Sequence, residues 1–269
     1  MPKVSVIMGI YNCASTLQEA LDSLYAQTFQ DFEIILCDDG SKDNTYKLAL
    51  ENQRIHSNIV LLRNDVNLGL NATLNKCLAV AQGEYIARMD GDDISLPTRF
   101  EKQVIFLDEH PEYAVVSSPM IYFDEYGDYM EGRAKEYPDK YSFIKGTPFC
   151  HAPSMIRTYV MKEIGGYTED KRLLRMEDYH LWFKIYAAGY KGSNLQEVLY
   201  KMRNDKNAYK RRTFRSRLNE LYVKSIGYRM LNLPIYYQIF AIRPILVWLL
   251  PTKLYMLLHR HSRKSISTR

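Results

Sequence analysis

Apolar residues dominate positions 3–10 and stop abruptly at Tyr11-Asn12. The run is short and rich in Val and Ile, so it predicts a strand rather than a helix. The period then changes. Leu17, Leu21 and Leu24 recur every three to four residues, which sets them on one helical face. The alternation continues with a second strand at residues 32–37, after which Asp43 and Asn44 offer caps for a helix to about Asn52. Residues 59–62 predict a third strand, and residues 70–81 a third helix that Gly83 closes. Residues 85–89 are a fourth apolar run, ending in Asp90-Gly91-Asp92-Asp93. Strands and helices alternating at this length predict an α/β fold, with a Rossmann-like, mainly parallel sheet flanked by helices on both faces.

The second half is less regular. Pro97 suits a helix start, and Arg99–Glu109 has helical spacing. Residues 114–116 and 121–123 are strand-like, with a turn at 125–128. His151-Ala152-Pro153-Ser154 begins another extended segment, and Gly165-Gly166-Tyr167 predicts a turn. Met176-Glu177-Asp178-Tyr179 opens a helix with Leu181, Trp182 and Ile185 facing inward, and Gly189 ends it.

In open α/β sheets, ligands bind beyond the carboxyl ends of the strands. Three predicted strands end in polar clusters, at Tyr11-Asn12, Asp38-Asp39 and Asp90-Gly91-Asp92-Asp93, and all three converge on one sheet edge. The last cluster holds three acids in four positions, which repel one another unless a cation sits among them. A glycine between the first two allows close approach of a ligand to the backbone. Hard divalent cations take such oxygen ligands and complete their shell with water and substrate phosphates. The ordinary fate of an acidic turn is solvation, and the convergence of three clusters argues against it here. An EF-hand loop fails, because Ile94 and Ser95 stand where a ligand and a glycine are required.

Composition is that of a globular chain of 269 residues, 46% hydrophobic and 25% charged. The four cysteines are scattered with no C-x-x-C pair, which argues against zinc or redox chemistry and for reduced thiols in a cytoplasmic protein. Only Pro2 and Lys3 separate the first Met from the first strand, so no signal peptide is expected. Charge is divided along the chain. Residues 201–269 carry 16 Lys/Arg against 2 Asp/Glu, whereas residues 1–200 carry 20 against 29. The C-terminal part therefore faces something anionic.

From Leu231 the sequence turns aliphatic and aromatic, including residues 245–250, with Arg243-Pro244 and Pro251 as interruptions. No uncharged run reaches the ~18–20 residues of a spanning helix. With Arg260, Arg263, Lys264 and Arg269 beyond it, the segment fits short helices lying in an anionic membrane surface. The alternatives are packing on the main domain or pairing in a homodimer. No nucleic-acid motif accompanies the basic residues, so nucleic acid is not expected as a partner.

Taken in order, residues 4–12, Asp38-Asp39-Gly40-Ser41, Asn67-Leu68-Gly69-Leu70, residues 83–93, Gly165-Gly166-Tyr167 and Glu177-Asp178 resemble the inverting, metal-dependent nucleotide-sugar glycosyltransferases of family 2. The match runs from Val4 to about Arg212 and points to the bacterial surface and capsular polysaccharide type. The resemblance implies a GT-A fold with a catalytic domain at 1–205, comprising a nucleotide-binding half at about 1–95 and an acceptor half at 96–205. A basic, amphipathic helical extension at 206–269 follows.

The resemblance also implies roles. Tyr11 lies against the nucleobase of a UDP-sugar, Ile10 contacts the nucleotide-sugar, and Asp39 accepts the base's imide N–H. Arg88, Asp90 and Gly91 contact the nucleotide-sugar, Asp90 holding the ribose or helping the metal. Asp92 ligates Mn²⁺ or Mg²⁺ on the diphosphate, a Lewis-acid role. Asp178 is the general base for a hexosyl or N-acetylhexosaminyl transfer to a glycan or lipid-linked saccharide. A single displacement inverts the sugar and needs one base. Glu177 positions Asp178 or binds acceptor. Asn67 contacts the nucleoside or caps the helix near Leu70, and His151 lines the acceptor site or is structural. In many relatives a histidine near residue 203 binds metal or diphosphate. Here the segment reads Arg203-Asn204-Asp205-Lys206, so that role does not carry over, and Asp205, Lys210, Arg211 and Arg212 are the substitutes or form a solvated helix.

Other classes fit less well. A sugar nucleotidyltransferase has a Gly-rich, basic loop after the first strand, where this chain has Tyr11-Asn12. A phosphatase with a nucleophilic Asp has Asp-x-Asp-x-Thr there. A non-catalytic GT-A scaffold is disfavoured by the presence of both Asp92 and Asp178. The expected location is the cytoplasm, peripheral on the inner face of the cell membrane.

Overall fold

The structure is a computed structural model that describes residues 1–203 and 213–249. The first half runs β1 (Val4–Ile10), α1 (Leu17–Tyr25), β2 (Phe32–Asp38), α2 (Thr45–Ile55), β3 (Ile59–Arg63), α3 (Leu70–Val80) and β4 (Tyr85–Arg88). It follows the sequence reading to within a few residues. The second half begins β5 (Ile94–Ser95), α4 (Arg99–Glu109), β6 (Val115–Ser117), β7 (Ile121–Asp124), β8 (Gly127–Glu131) and α5 (Ser142–Lys145). It continues β9 (Met155–Arg157), α6 (Thr158–Glu163), α7 (Glu177–Ala187), β10 (Gly192–Asn194), β11 (Tyr200–Arg203), α8 (Phe214–Met230) and α9 (Arg243–Leu249).

Seven strands form one sheet in the order β10-β6-β9-β4-β1-β2-β3. All neighbours are parallel except β9, which runs antiparallel to both β4 and β6. Side chains alternate along β1, so Val4, Val6, Met8 and Ile10 enter one core and Ile7 the other. Because both faces are covered, the strand reads as an almost continuous apolar run. The register pairs Ile10 with Asp38 and Ile7 with Arg88, so the polar ends of β1, β2 and β4 lie side by side.

A second, four-stranded sheet, β5-β11-β7-β8, stands beside the end of β4. Its two-residue β5 follows the acid cluster directly and carries no pattern of its own, so sequence periodicity does not reveal it. Residues 151–153 differ from expectation. They turn, with Ser154 N–H donating to the His151 carbonyl at 3.1 Å, and the strand begins at Met155. Pro153 lacks the N–H a ladder needs, which delays the strand.

The C-terminal segment packs on α7. Val223, Tyr228, Leu231, Leu233 and Ala241 share a core with Trp182 and Phe183 of α7. The close approach of α8 depends on Gly227, where any Cβ would overlap the Phe183 ring. Beyond α8, a 3-10 helix (Ile235–Ile242) and α9 leave Ile235, Tyr236, Ile239, Leu246, Trp248 and Leu249 exposed. Among the described residues, no helix is long and apolar enough to cross a membrane. The expectations for Asp205, Lys210, Arg211, Arg212, Arg260, Arg263, Lys264 and Arg269 fall outside the described residues.

Candidate active site

The first wall of the site is built where β1 and β2 end. Ile10 accepts the Asp39 N–H at 2.9 Å through its carbonyl, while its side chain is buried in the core. Ile10 therefore positions this wall through its backbone. Asn12 takes a left-handed conformation (φ 48°), and its N–H donates to Ser41 Oγ at 3.0 Å. Its own Oδ1 accepts the Lys42 N–H at 2.8 Å, so the two loops are fastened together. Tyr11, 46% exposed, is left projecting beside them.

Asp39 is buried and already engaged. Its Oδ1 accepts from Leu68 N–H at 2.8 Å and Asn64 Nδ2 at 2.9 Å, and its Oδ2 accepts from Gly69 N–H at 3.0 Å. A carboxylate offers about four acceptor positions, so about one stays open. The sequence reading missed this loop-shaping role, because the donors come from the loop after β3. Asn67 does not cap α3. Gly69 (φ 91°) occupies the cap position with no side-chain bond, because the loop spends its N–H groups on Asp39. Instead Asn67 lines a pocket of about 260 Å³ with Gly9, Tyr11, Asp39, Gly69 and Leu70.

The second wall is the turn after β4. Arg88 is almost fully buried. It donates to Asp90 Oδ1 at 2.6 Å and to the Met89 carbonyl, while its Nε has no partner. Burial opposes its charge, but Asp90 outweighs this and keeps the guanidinium protonated. Gly91 is required by the protein's own packing, since a Cβ there would lie 2.8 Å from Cys13 Sγ. Asp92 opens to solvent, and partial desolvation together with the charge of Asp90 raises its pKa against the lowering effect of Arg88 and Arg203.

Asp93 is buried and accepts the Arg203 N–H at 2.8 Å. Burial and the charges of Asp90 and Asp92 push its carboxyl up to about 8. Tyr200 bonds Asp93 and accepts the Asp90 N–H at 3.2 Å. Arg203 donates through Nε to the Asp92 carbonyl at 2.9 Å and pairs with Glu19. Arg203 thus holds the acid turn from the end of β11.

Behind this turn lies Arg99, fully buried. It donates to the carbonyls of Arg88 at 2.8 Å and of Ala152 and Ser154 at 3.3 Å, and stacks over Tyr200. Burial, with the Arg88 charge, lowers its pKa to about 10. A charged residue opening a helix reads as surface, so the sequence carried no signal for Arg99 or Tyr200.

The third wall is the start of α7. Glu177 Oε1 accepts the N–H of Arg175, itself held at φ 68°, at 2.8 Å. Asp178 Oδ1 accepts the Tyr179 N–H at 2.7 Å. Desolvation, with the charge of Glu177 adding to it, raises the Asp178 carboxyl to about 6. His151 Nε2 lies 2.8 Å from the Tyr167 hydroxyl, and its ring meets Trp182 edge-on. Burial, with Arg88 nearby, drives its pKa well below the ordinary value, so the imidazole is neutral. The Arg88 charge acts on Asp90, Asp92, Glu177, Asp178 and His151 alike, so the second and third walls meet around this one cation.

The donor chemistry suits a hard divalent cation. Asp90 and Asp92 offer carboxylate oxygens at an open mouth, and Asp92 is exposed to solvent. Mg²⁺ and Mn²⁺ sites of this kind use one or two carboxylates and leave the remaining positions to water and phosphate.

Residues 5–165 match the model of the family described as glycosyl transferase family 2. The chain is 42% identical over 266 residues, 98% of its length and 95% of the relative's, to the putative glycosyltransferase EpsE of Bacillus subtilis. It is 33% identical over 217 residues, 78% of each chain, to the UDP-Gal:alpha-D-GlcNAc-diphosphoundecaprenol beta-1,3-galactosyltransferase of Escherichia coli. Among solved structures, S. aureus TarS 1–349 in complex with UDP-GlcNAc superimposes with a TM-score of 0.67 at 22% identity, over 85% of this chain and 70% of that one. The mannosyltransferase PcManGT of Pyrobaculum calidifontis, in complex with GDP-Man and Mn2+, gives 0.66 at 18% identity over 99% and 81%.

Proposed function

The chain belongs to glycosyl transferase family 2 and has the GT-A fold, and from that premise we propose that it transfers a hexosyl or N-acetylhexosaminyl group from a UDP-sugar, with inversion, to a glycan or lipid-linked saccharide in bacterial surface polysaccharide synthesis. The observation that carries the reading is the half-buried, desolvated Asp178 at the start of α7, whose carboxyl feels the charge of Arg88, the residue that also pairs with Asp90. The uracil stacks on Tyr11, and the open acceptor position of Asp39 takes its imide N–H, with Asn67 beside it. Asp90 and Asp92 hold Mn²⁺ or Mg²⁺, which when bound neutralises charge on the leaving diphosphate. Arg88 braces Asp90 and keeps a free Nε–H at the donor side.

Asp178, with its pKa near 6, is ionised at neutral pH and basic enough to accept a proton. It takes the proton of the acceptor hydroxyl as that oxygen bonds the anomeric carbon and the carbon–oxygen bond to the diphosphate breaks. Neutral His151, tied to Tyr167, and Glu177 line the acceptor side. The exposed apolar face of residues 235–249 lies on the inner surface of the cell membrane. A relative whose named substrate is a diphosphoundecaprenol supports that location.

Calorimetric titration of UDP and GDP, with and without Mn²⁺, into the wild type and Asp92→Ala tests the donor site. UDP binding that requires Mn²⁺ and weakens in the variant is expected. Absence of nucleoside diphosphate binding, with no effect of the variant, would overturn the reading in favour of a non-catalytic scaffold.

A further inference from the structure

A cleft of about 620 Å³, larger than the pocket under Tyr11, opens between α5 and the segment before it, and no role above accounts for it. Its inner end is Phe149 and Cys150. The Phe149 ring packs edge-on against Trp182 at 5.3 Å, one helical turn beyond Asp178. Cys150 precedes His151, whose ring meets the same Trp182, so this end lies against the helix that carries the proposed base. The outer end is Tyr141, whose ring lies 5.8 Å from Tyr237. Tyr237 in turn contacts Phe240 on the exposed apolar face.

Between the two ends the walls are cationic. Arg133, Lys135 and Lys145 line the cleft against a single acid, Asp139. Lys135 is paired with Asp139 at 3.3 Å, whereas Arg133 and Lys145 make no ion pair among the described residues. The cleft therefore joins the helix of the proposed base, two free cations and the apolar face. A lipid-linked saccharide joins three matching parts: sugar hydroxyl, phosphate charge, hydrocarbon.

We propose that this cleft binds the diphosphate of a lipid-linked saccharide acceptor, with Arg133 and Lys145 as its charge partners. The saccharide end reaches Asp178, and the lipid leaves over Tyr141 toward residues 235–249. The proposal rests on the transferase reading above and narrows its acceptor to a diphosphate-linked one. Two unpaired cations complement the two negative charges of a diphosphate diester, and hydrogen bonds to charged groups are the stronger kind.

The test is calorimetry of the full chain with the donor site first filled by UDP and Mn²⁺, so that a second diphosphate cannot enter it. Farnesyl diphosphate is the probe, compared with inorganic diphosphate and farnesol. Farnesyl diphosphate is expected to bind more tightly than either. The Arg133→Ala/Lys145→Ala variant is expected to weaken it about tenfold or more while leaving UDP affinity unchanged. An undiminished affinity in that variant overturns the proposal. So does inorganic diphosphate binding as tightly as the prenyl form, which identifies a site for free anions. UDP binding in the first stage reports on the transferase reading separately.

Discussion

Replacing Asp178 with Asn should make the protein more stable and almost inactive at once, and the stability gain should depend on pH. The carboxyl lies at about 6 in the fold against 3.8 in its ordinary state, chiefly because it is desolvated, with Glu177 adding repulsion. Below pH 3.8 it is protonated in the folded and unfolded chain alike and costs nothing. As pH rises through that value the unfolded chain ionises more readily, and stability falls until the folded carboxyl ionises at about 6. Above that the cost is complete, about 1–3 kcal/mol at ~1.4 kcal/mol per tenfold. Asn keeps an oxygen to accept the Tyr179 N–H and sheds the charge. Thermal melts at pH 8 should therefore show Asp178→Asn several degrees above the wild type, with the difference vanishing near pH 4. In the transferase assay, wild-type kcat/KM should fall about tenfold per pH unit below about 6, and the variant should lose roughly 10²–10⁴ in kcat. A variant less stable than the wild type at pH 8, or a wild-type profile flat through pH 5, refutes the reasoning.

Two further substitutions test the framework around the site. Gly227→Ala gains about 1 kcal/mol of helix propensity but drives a methyl into the buried Phe183 ring. Overpacking of this kind costs about 1–3 kcal/mol, so a lowered melting temperature is expected and an unchanged or raised one contradicts the packing argument. Arg99→Met leaves the Arg88 and Ala152 carbonyls without their buried donor. Orphaned buried acceptors predict a loss of about 2–4 kcal/mol in urea denaturation, and a loss within about 0.5 kcal/mol, an ordinary surface effect, counts against it.

The alternation of strands and helices was legible because it is written locally. β1 shows as an apolar run because both its faces are covered, and α1 shows as a leucine spacing because only one face is. The three polar clusters were legible for the same reason, each being the place where an apolar run stops. The family pattern then brought Asp39, Asp90, Asp92 and Asp178 forward as a set. What those side chains touch was not written locally. Asp39 is shaped by donors at Asn64, Leu68 and Gly69, and Asp93 by the backbone of Arg203, 110 residues away. The packing of Gly91 against Cys13 is likewise set by a residue distant in the chain. Arg99 carries the charge of a surface residue, yet it is buried because three carbonyls from two distant segments converge on it. Periodicity depends on neighbours along the chain, so the sequence alone determined the elements and where they end. Burial, the raised pKa of Asp178 and the cationic cleft depend on neighbours in space, and only the tertiary structure decided those.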